Sequence, residues 1–206
     1  MSIWQYIEYY LSKLFYSFRA HDAKLFTKLP AFAALPEPNI KLESPESGPS
    51  GSQMHVDNTQ DGKGEFPHLV WSKPAGLDVR EYILICEDVD APLPFPIAHS
   101  LFYSIPAGTT KVTHEETQVV EAGATKSLKG GFRWVPNIRN KHYVGPRPLV
   151  GHGPHRYFYQ IVALSEPLDV DVLGPKVTKQ KIAQAIEGKV VGWGSWVGVY
   201  ERHWKS

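Results

Sequence analysis

VGPRPLVGHGPHRYFYQ, from Val144 to Gln160, sets a stiff approach in front of an aromatic, strand-like run. Gly145, Pro146, Pro148, Gly151, Gly153 and Pro154 crowd the first half, and His155 and Arg156 open the second. Proline fixes φ and glycine opens the left-handed region, so such a stretch excludes helix and holds one path. Its product is a histidine and an arginine at the start of a strand. CEDVDAPLPFPIAHS, 86–100, repeats this grammar. There Asp88 and Asp90 end an apolar run, Pro92, Pro94 and Pro96 stiffen the turn, and His99 starts the next strand. The Asp pair also reads as turn chemistry, with each carboxylate bonding nearby backbone N–H groups. If the strands are neighbours, His99, His155 and the Asp pair meet at one sheet end. Histidine and arginine donors there would bind an anion while the carboxylates orient the rings.

Around these stretches, strand signals dominate. HLVWS (68–72), EYILICE (81–87), HSLFYSI (99–105), YFYQIVAL (157–164) and SWVGVYERHW (195–204) are rich in aliphatic and aromatic residues. TKQKIAQAIEG reads as a helix capped by Thr178 and ended by Gly188, with Ile182 and Ile186 on one face. Residues 30–64, rich in Pro, Gly and Ser, read as short extended pieces joined by turns, with a linker as the alternative. The pattern predicts a mainly β fold, an antiparallel sheet with peripheral helices.

The chain has 206 residues, of which 42% are hydrophobic, enough for a sizeable core. Lys and Arg total 22 against 21 Asp and Glu, so no basic footprint suggests a nucleic-acid partner. The lone Cys86 sits in an apolar run and reads as a core residue. GHGPHR is not GxGxxG and precedes a strand, which argues against a dinucleotide loop. His152 and His155 lack a zinc spacing, and no GxSxG elbow occurs. No metal or other cofactor is therefore expected.

The N-terminus, MSIWQYIEYYLSKLFYSF, lacks a basic n-region, and Glu8 and Lys13 interrupt it. It reads as neither a signal peptide nor a membrane span, which with the single cysteine suggests a cytoplasmic protein. Trp4, Ile7, Leu11, Leu14, Phe15 and Phe18 recur at helical spacing, and Ser2 with Gln5 suggests a capping box. An amphipathic helix of about four turns follows, packed on the domain, with a homodimer or a membrane surface as alternatives. Residues 1–30 are assigned to this extension and 31–206 to the main domain.

Taken together, these pieces resemble the phosphatidylethanolamine-binding protein (PEBP) family. QDGKGEFPHLVWSKPAG (60–76) is similar to its DG…P.L.W opening and EDVDAP (87–92) to its DPDAP signature, followed by His99. YVGPRPLVGHGPHRY (143–157) resembles its Y-x-GP-x-P…G-x-HRY signature, and GSWVGVYER (194–202) its closing strand. EDxDAPLP…PRPLxGHGPHRY with the N-terminal helix looks most like the fungal branch. The resemblance implies a large antiparallel sheet, a second small sheet and a shallow anion pocket. Carried over by position, Asp88, Asp90, His99, His155 and Tyr157 would line that pocket, with Pro92, Gly145 and Pro148 at its rim. Val89 departs from the signature proline and should loosen the turn. Ser100 departs from a common tryptophan and should open space. Arg147, a further departure, offers either a bidentate clamp for carboxylate or phosphate or a solvent-facing rim arginine. Arg156, between His155 and Tyr157, should face the other way.

For function the resemblance implies two main expectations. One is an enzyme of fungal natural-product biosynthesis that couples maleic-anhydride polyketide monomers into maleidrides, with His155 or His99 as base and Asp88 orienting it. The alternative is a non-catalytic protein that binds phospholipid, phosphate or another small anion, or regulates a kinase or protease. The partner in either case is a small anionic ligand.

Overall fold

The computed structural model describes residues 3–123 and 126–204. The expected Ser2–Gln5 capping box lies outside what is described. Helix α1 (Ile3–Leu14) comes first, and single 3-10 turns then carry the chain to strand β1 (Leu42–Glu43). Strands β2 (Leu69–Trp71), β3 (Glu81–Asp88), β4 (Ile97–Pro106), β5 (Lys111–Val112), β6 (Arg133–Trp134) and β7 (His155–Leu164) follow. Helices α2 (Val170–Leu173) and α3 (Lys179–Ala185) precede the last strand, β8 (Val190–Tyr200).

Two antiparallel sheets form, as a mainly β pattern requires: β1-β2-β5, and β6-β4-β3-β7-β8. β3 runs down the middle of the larger sheet and all eight of its residues are buried, which is why its central run, Tyr82–Cys86, is continuously apolar. Alternation along β3 divides the core. Tyr82, Leu84 and Cys86 pack towards the small sheet with Trp71, Phe102 and Trp196. Ile83 and Ile85 pack beneath Phe26, Ile182 and Trp193 on the other side. Thr178 caps α3 as expected, accepting from the Lys181 backbone N–H at 3.2 Å.

The extension departs from expectation in two ways. Phe26, inside the 1–30 segment, is fully buried and its N–H donates to the buried carboxylate of Glu87 at 2.7 Å. The end of the 1–30 segment is thereby packed onto the main sheet. Second, the apolar stripe of α1 is not its packing face: Trp4, Ile7, Leu11, Leu14 and Phe18 are exposed. The helix instead docks through Glu8, Tyr9 and Ser12. Tyr9 packs against Trp204 with ring centroids 4.4 Å apart and planes tilted by 40°, and Ser12 is fully buried. Among the described residues no helix is long and apolar enough to cross a membrane.

Candidate functional site

Three strand ends meet where the Pro-rich loops deliver them. Asp88 closes β3, paired with Ile97 of β4 on one side and Tyr157 of β7 on the other. His99 therefore stands two residues into β4, and His155 opens β7. Beside them lies a cavity of about 370 Å³ lined by Asp88, Pro92, His99, Arg139, Arg147, Pro148, His155 and Tyr157.

Hydrogen bonds fix the state of each ring. His99 Nδ1 lies 2.6 Å from the Val144 carbonyl oxygen, which can only accept. Nδ1 therefore carries the proton, and Nε2 presents a lone pair 4.0 Å from Asp88 Oδ2. Burial lowers the His99 pKa, although Asp88 and the Val144 carbonyl oppose the shift. His99 is thus a neutral base facing the cavity. Asp88 is held on both oxygens: Oδ1 accepts from the Asp90 N–H at 2.8 Å, and Oδ2 from His155 Nδ1 at 2.8 Å.

His155 is the more confined histidine, only 1% exposed. Its Nε2 contacts His152 Nδ1 at 2.8 Å, and His152 Nε2 faces the Phe15 carbonyl at 3.2 Å. Both nitrogens of His155 are thereby engaged. Tyr157 is fully buried and its hydroxyl has no hydrogen-bond partner among the described residues. Burial, followed by the Asp88 charge, drives the Tyr157 pKa well up, so the phenol keeps its proton and can donate it.

Two arginines supply positive charge. Arg139 Nη1 donates to Gln60 Oε1 at 3.2 Å, and Gln60 Nε2 in turn donates to the Gly145 carbonyl at 2.8 Å. Arg147 lies 3.7 Å from Glu8 Oε1. That same oxygen receives Arg202 Nη1 at 2.6 Å and the Val150 N–H at 3.3 Å. Helix α1 therefore supplies the counter-charge for one of the two arginines. Its close approach depends on Gly151, at φ +74°, where an added Cβ would stand 2.8 Å from the Tyr9 ring.

Two residues expected at the pocket sit elsewhere. Asp90 is not on the cavity wall: its carboxylate turns to Arg156, accepting from Nε at 2.8 Å and from the backbone N–H at 2.9 Å. Gly145 is also off the wall, and shapes the site through Gln60. Arg156 faces away, bonded to Asp22 as well as Asp90. Val89, in place of proline, ties the turn through its own N–H to the Arg156 carbonyl at 3.4 Å, a bond proline could not make. Ser100 does not open the histidine pocket; it lines a separate cavity beyond β4. His152, Arg139 and Gln60 were not singled out in the sequence as site residues. His152 was visible in the Gly-Pro stretch, but only three-dimensional adjacency gives it a role. Among the described residues no group of three or more His, Cys, Asp and Glu side chains is placed to hold a metal.

This sheet pair and pocket match a known pattern: residues 44–201 fit the family model described as phosphatidylethanolamine-binding protein. The chain belongs to the PEBP family. Two fungal relatives place this PEBP-family protein in the fungal branch. The "Phomoidride biosynthesis cluster protein B" of Talaromyces stipitatus is 40% identical over 200 residues, covering 96% of this chain and 82% of that one. A protein of the same name from another fungal species is 40% identical over 204 residues, covering 98% of each. Crystal structures agree on the PEBP fold. A Chlamydia trachomatis homolog superposes with a TM-score of 0.63 at 21% identity, covering 81% of this chain and 99% of that one. Escherichia coli YbcL gives 0.62 at 21% identity, with 79% and 98% covered.

Proposed function

We propose that this PEBP-family protein acts in fungal polyketide biosynthesis and couples two maleic-anhydride monomers through a carbon–carbon bond. The observation that carries the reading is the state of His99. Its Nδ1 proton is committed to Val144, and its Nε2 lone pair faces a cavity that is also lined by Arg139 and Tyr157. The two relatives named for phomoidride biosynthesis support the pathway class.

The step balances without a cofactor. His99 Nε2 takes the proton from a carbon adjacent to the anhydride, breaking that C–H bond, and becomes imidazolium beside the Asp88 carboxylate. The electron pair spreads into the anhydride carbonyl, whose growing negative charge Arg139 stabilises. The carbanion then attacks an unsaturated carbon of the second monomer, forming the new bond and pushing that double bond's electron pair into the second anhydride, and the enolate so formed takes back the proton held on His99 Nε2. Asp88 and His155 hold this arrangement without exchanging protons with the substrate.

The test is product formation from an activated maleic-anhydride monomer, with maleate binding measured in parallel by calorimetry. His99→Gln should slow turnover by about 10²–10⁴-fold, the usual worth of a general base, while maleate still binds. An unchanged rate would remove the mechanism. Maleate binding without turnover in the unmodified protein would instead favour a non-catalytic anion-binding protein.

A further inference from the structure

Helix α1 turns an apolar face to solvent. Ile3, Trp4, Ile7, Tyr10, Leu11 and Leu14 are each at least 41% exposed, and Trp4 reaches 74%. At about 3.6 residues per turn these six side chains fall in one stripe roughly 120° wide. Within it Ile3, Ile7, Tyr10 and Leu14 recur at the alternating four- and three-residue steps of a helix-pairing seam.

The area of this stripe bears on what covers it. At the exposures given, the six side chains leave roughly 800 Å² open, about what each partner of a standard protein interface contributes. A monomer's largest apolar patch is ordinarily about 300–600 Å². Charge narrows the partner further. The charged residues of α1, Glu8 and Lys13, both turn to their own domain: Glu8 accepts from Arg202, and Lys13 donates to the Gly151 carbonyl at 2.9 Å. The stripe itself is uncharged, whereas a helix lying on an anionic membrane flanks its apolar face with free Lys and Arg. An uncharged seam of this spacing suits a second helix of the same kind.

We propose that α1 pairs with α1 of a second copy of this chain, antiparallel, about a two-fold axis between Ile7 and Tyr10. Such a pair is self-complementary and closes after two copies. Antiparallel pairing sets opposite helix dipoles side by side and packs the bulky Trp4 end against the partner's Leu11 and Leu14. It also pins the segment that brings Glu8 to Arg147 and the Phe15 carbonyl to His152. The pairing does not depend on the coupling reaction proposed above.

Sedimentation of the full chain over a concentration series tests it. The 23.1 kDa chain should sediment as a dimer. Ile3→Glu and Leu14→Lys each change an exposed residue and suit their end of the helix dipole, so the fold and its thermal midpoint should hold. Each alone should raise the dimer Kd about a hundredfold, tenfold for each of the two charges buried without a partner. Mixing the two variants faces one charge with its opposite and should restore the dimer, which parallel pairing would not allow. A chain monomeric at every concentration, or a dimer insensitive to both substitutions, would overturn the proposal. A mixture that stays monomeric would overturn the antiparallel arrangement. Flotation of a monomeric chain with phosphatidylcholine–phosphatidylserine vesicles, lost in both variants, would give the face to a membrane and overturn the pairing.

Discussion

The imidazoles of His152 and His155 are hydrogen-bonded to one another, Nδ1 to Nε2 at 2.8 Å, with both residues buried. Acceptors close both ends of this pair, the Asp88 carboxylate and the Phe15 carbonyl. Three hydrogen bonds along that chain need three ring protons, whereas two neutral imidazoles carry two. Burial is the largest influence on His152 and lowers its pKa, outweighing the Phe15 carbonyl and Asp88, which act to raise it. Two ring protons therefore cover the two 2.8 Å contacts and leave the longer Phe15 contact without one. Nitrogen-15 NMR should find His152 protonated on Nδ1 at neutral pH and gaining its second proton on Nε2 on acidification. His152→Phe should cost about 1–3 kcal/mol in denaturant unfolding, because it strands the buried Nε2 of His155. A neutral Nε2–H tautomer of His152 would refute the assignment.

Acid should destabilise the fold before its surface carboxylates titrate. His99, His142 and His152 all have lowered pKa values, with burial as the largest cause in each. A histidine lowered in the folded state binds fewer protons than in the unfolded chain. Its contribution is then intact above the unfolded value, about 6.5, and is lost as pH falls through the folded value. Glu81 runs the other way, since burial raises its carboxyl and stability declines as pH climbs through that value. The thermal midpoint should therefore drop between pH 7.5 and pH 5, and His99→Gln should flatten that drop. A midpoint unchanged across this interval would contradict the histidine account.

Arg156 is structural. Burial acts to raise the Asp90 carboxyl, but Arg156 outweighs it through hydrogen bonds and charge and holds it below the ordinary range. The Asp90 side chain is 1% exposed, so Arg156→Leu leaves a buried charge with only backbone donors and Arg19, 3.7 Å away. We expect a loss of about 3 kcal/mol, the lower end for a broken buried pair because Arg156 itself is one-third exposed. Asp90→Asn should cost less, since it removes the charge and keeps the shape. Equal losses in both variants would show that packing, not charge, dominates.

Much of this was legible in the chain. The five longer strands, helix α3 and the meeting of Asp88, His99 and His155 follow from apolar runs ended by Pro-rich turns. The strand starts are local, so a linear reading finds them. Asp90 was misplaced because an alternating pair of carboxylates looks equivalent on paper, whereas opposite orientation sends one to His155 and the other to Arg156. Arg139 was invisible for a related reason: it sits in an irregular loop, and only Gln60, far away in sequence, fixes its direction. The α1 stripe misled because hydrophobic periodicity identifies a face without saying what covers it.

Gly194 tests the packing of the closing strand. An added Cβ would stand 2.0 Å from the Ile40 carbonyl oxygen, a contact with backbone that no side-chain rotation relieves. The same crossing carries the Asn39 and Ile40 N–H bonds to the Trp193 carbonyl, at 2.9 and 3.0 Å. Gly194→Ala should therefore destabilise by about 1–3 kcal/mol, measured by denaturant melts, and lower the hydrogen-exchange protection of those two amides.

Helix α1 should tune the pocket through Glu8. One oxygen of that carboxylate faces Arg147, Arg202 and the Val150 amide, so it draws Arg147 away from a cavity anion. Arg202 keeps a second partner, Asp61 at 2.9 Å, and so does not depend on Glu8 alone. Glu8→Gln keeps the amide contact and the helix but removes the competing charge, and should tighten maleate binding about two- to fivefold at low salt. Deleting residues 3–18 goes further, taking away both Glu8 and the Phe15 carbonyl that covers His152. Because burial lowers the His152 pKa, uncovering the ring should move it back up towards the ordinary histidine value, visible in an NMR titration. Maleate affinity that is unchanged in Glu8→Gln, with a His152 titration unchanged by the deletion, would make α1 an appendage rather than part of the site.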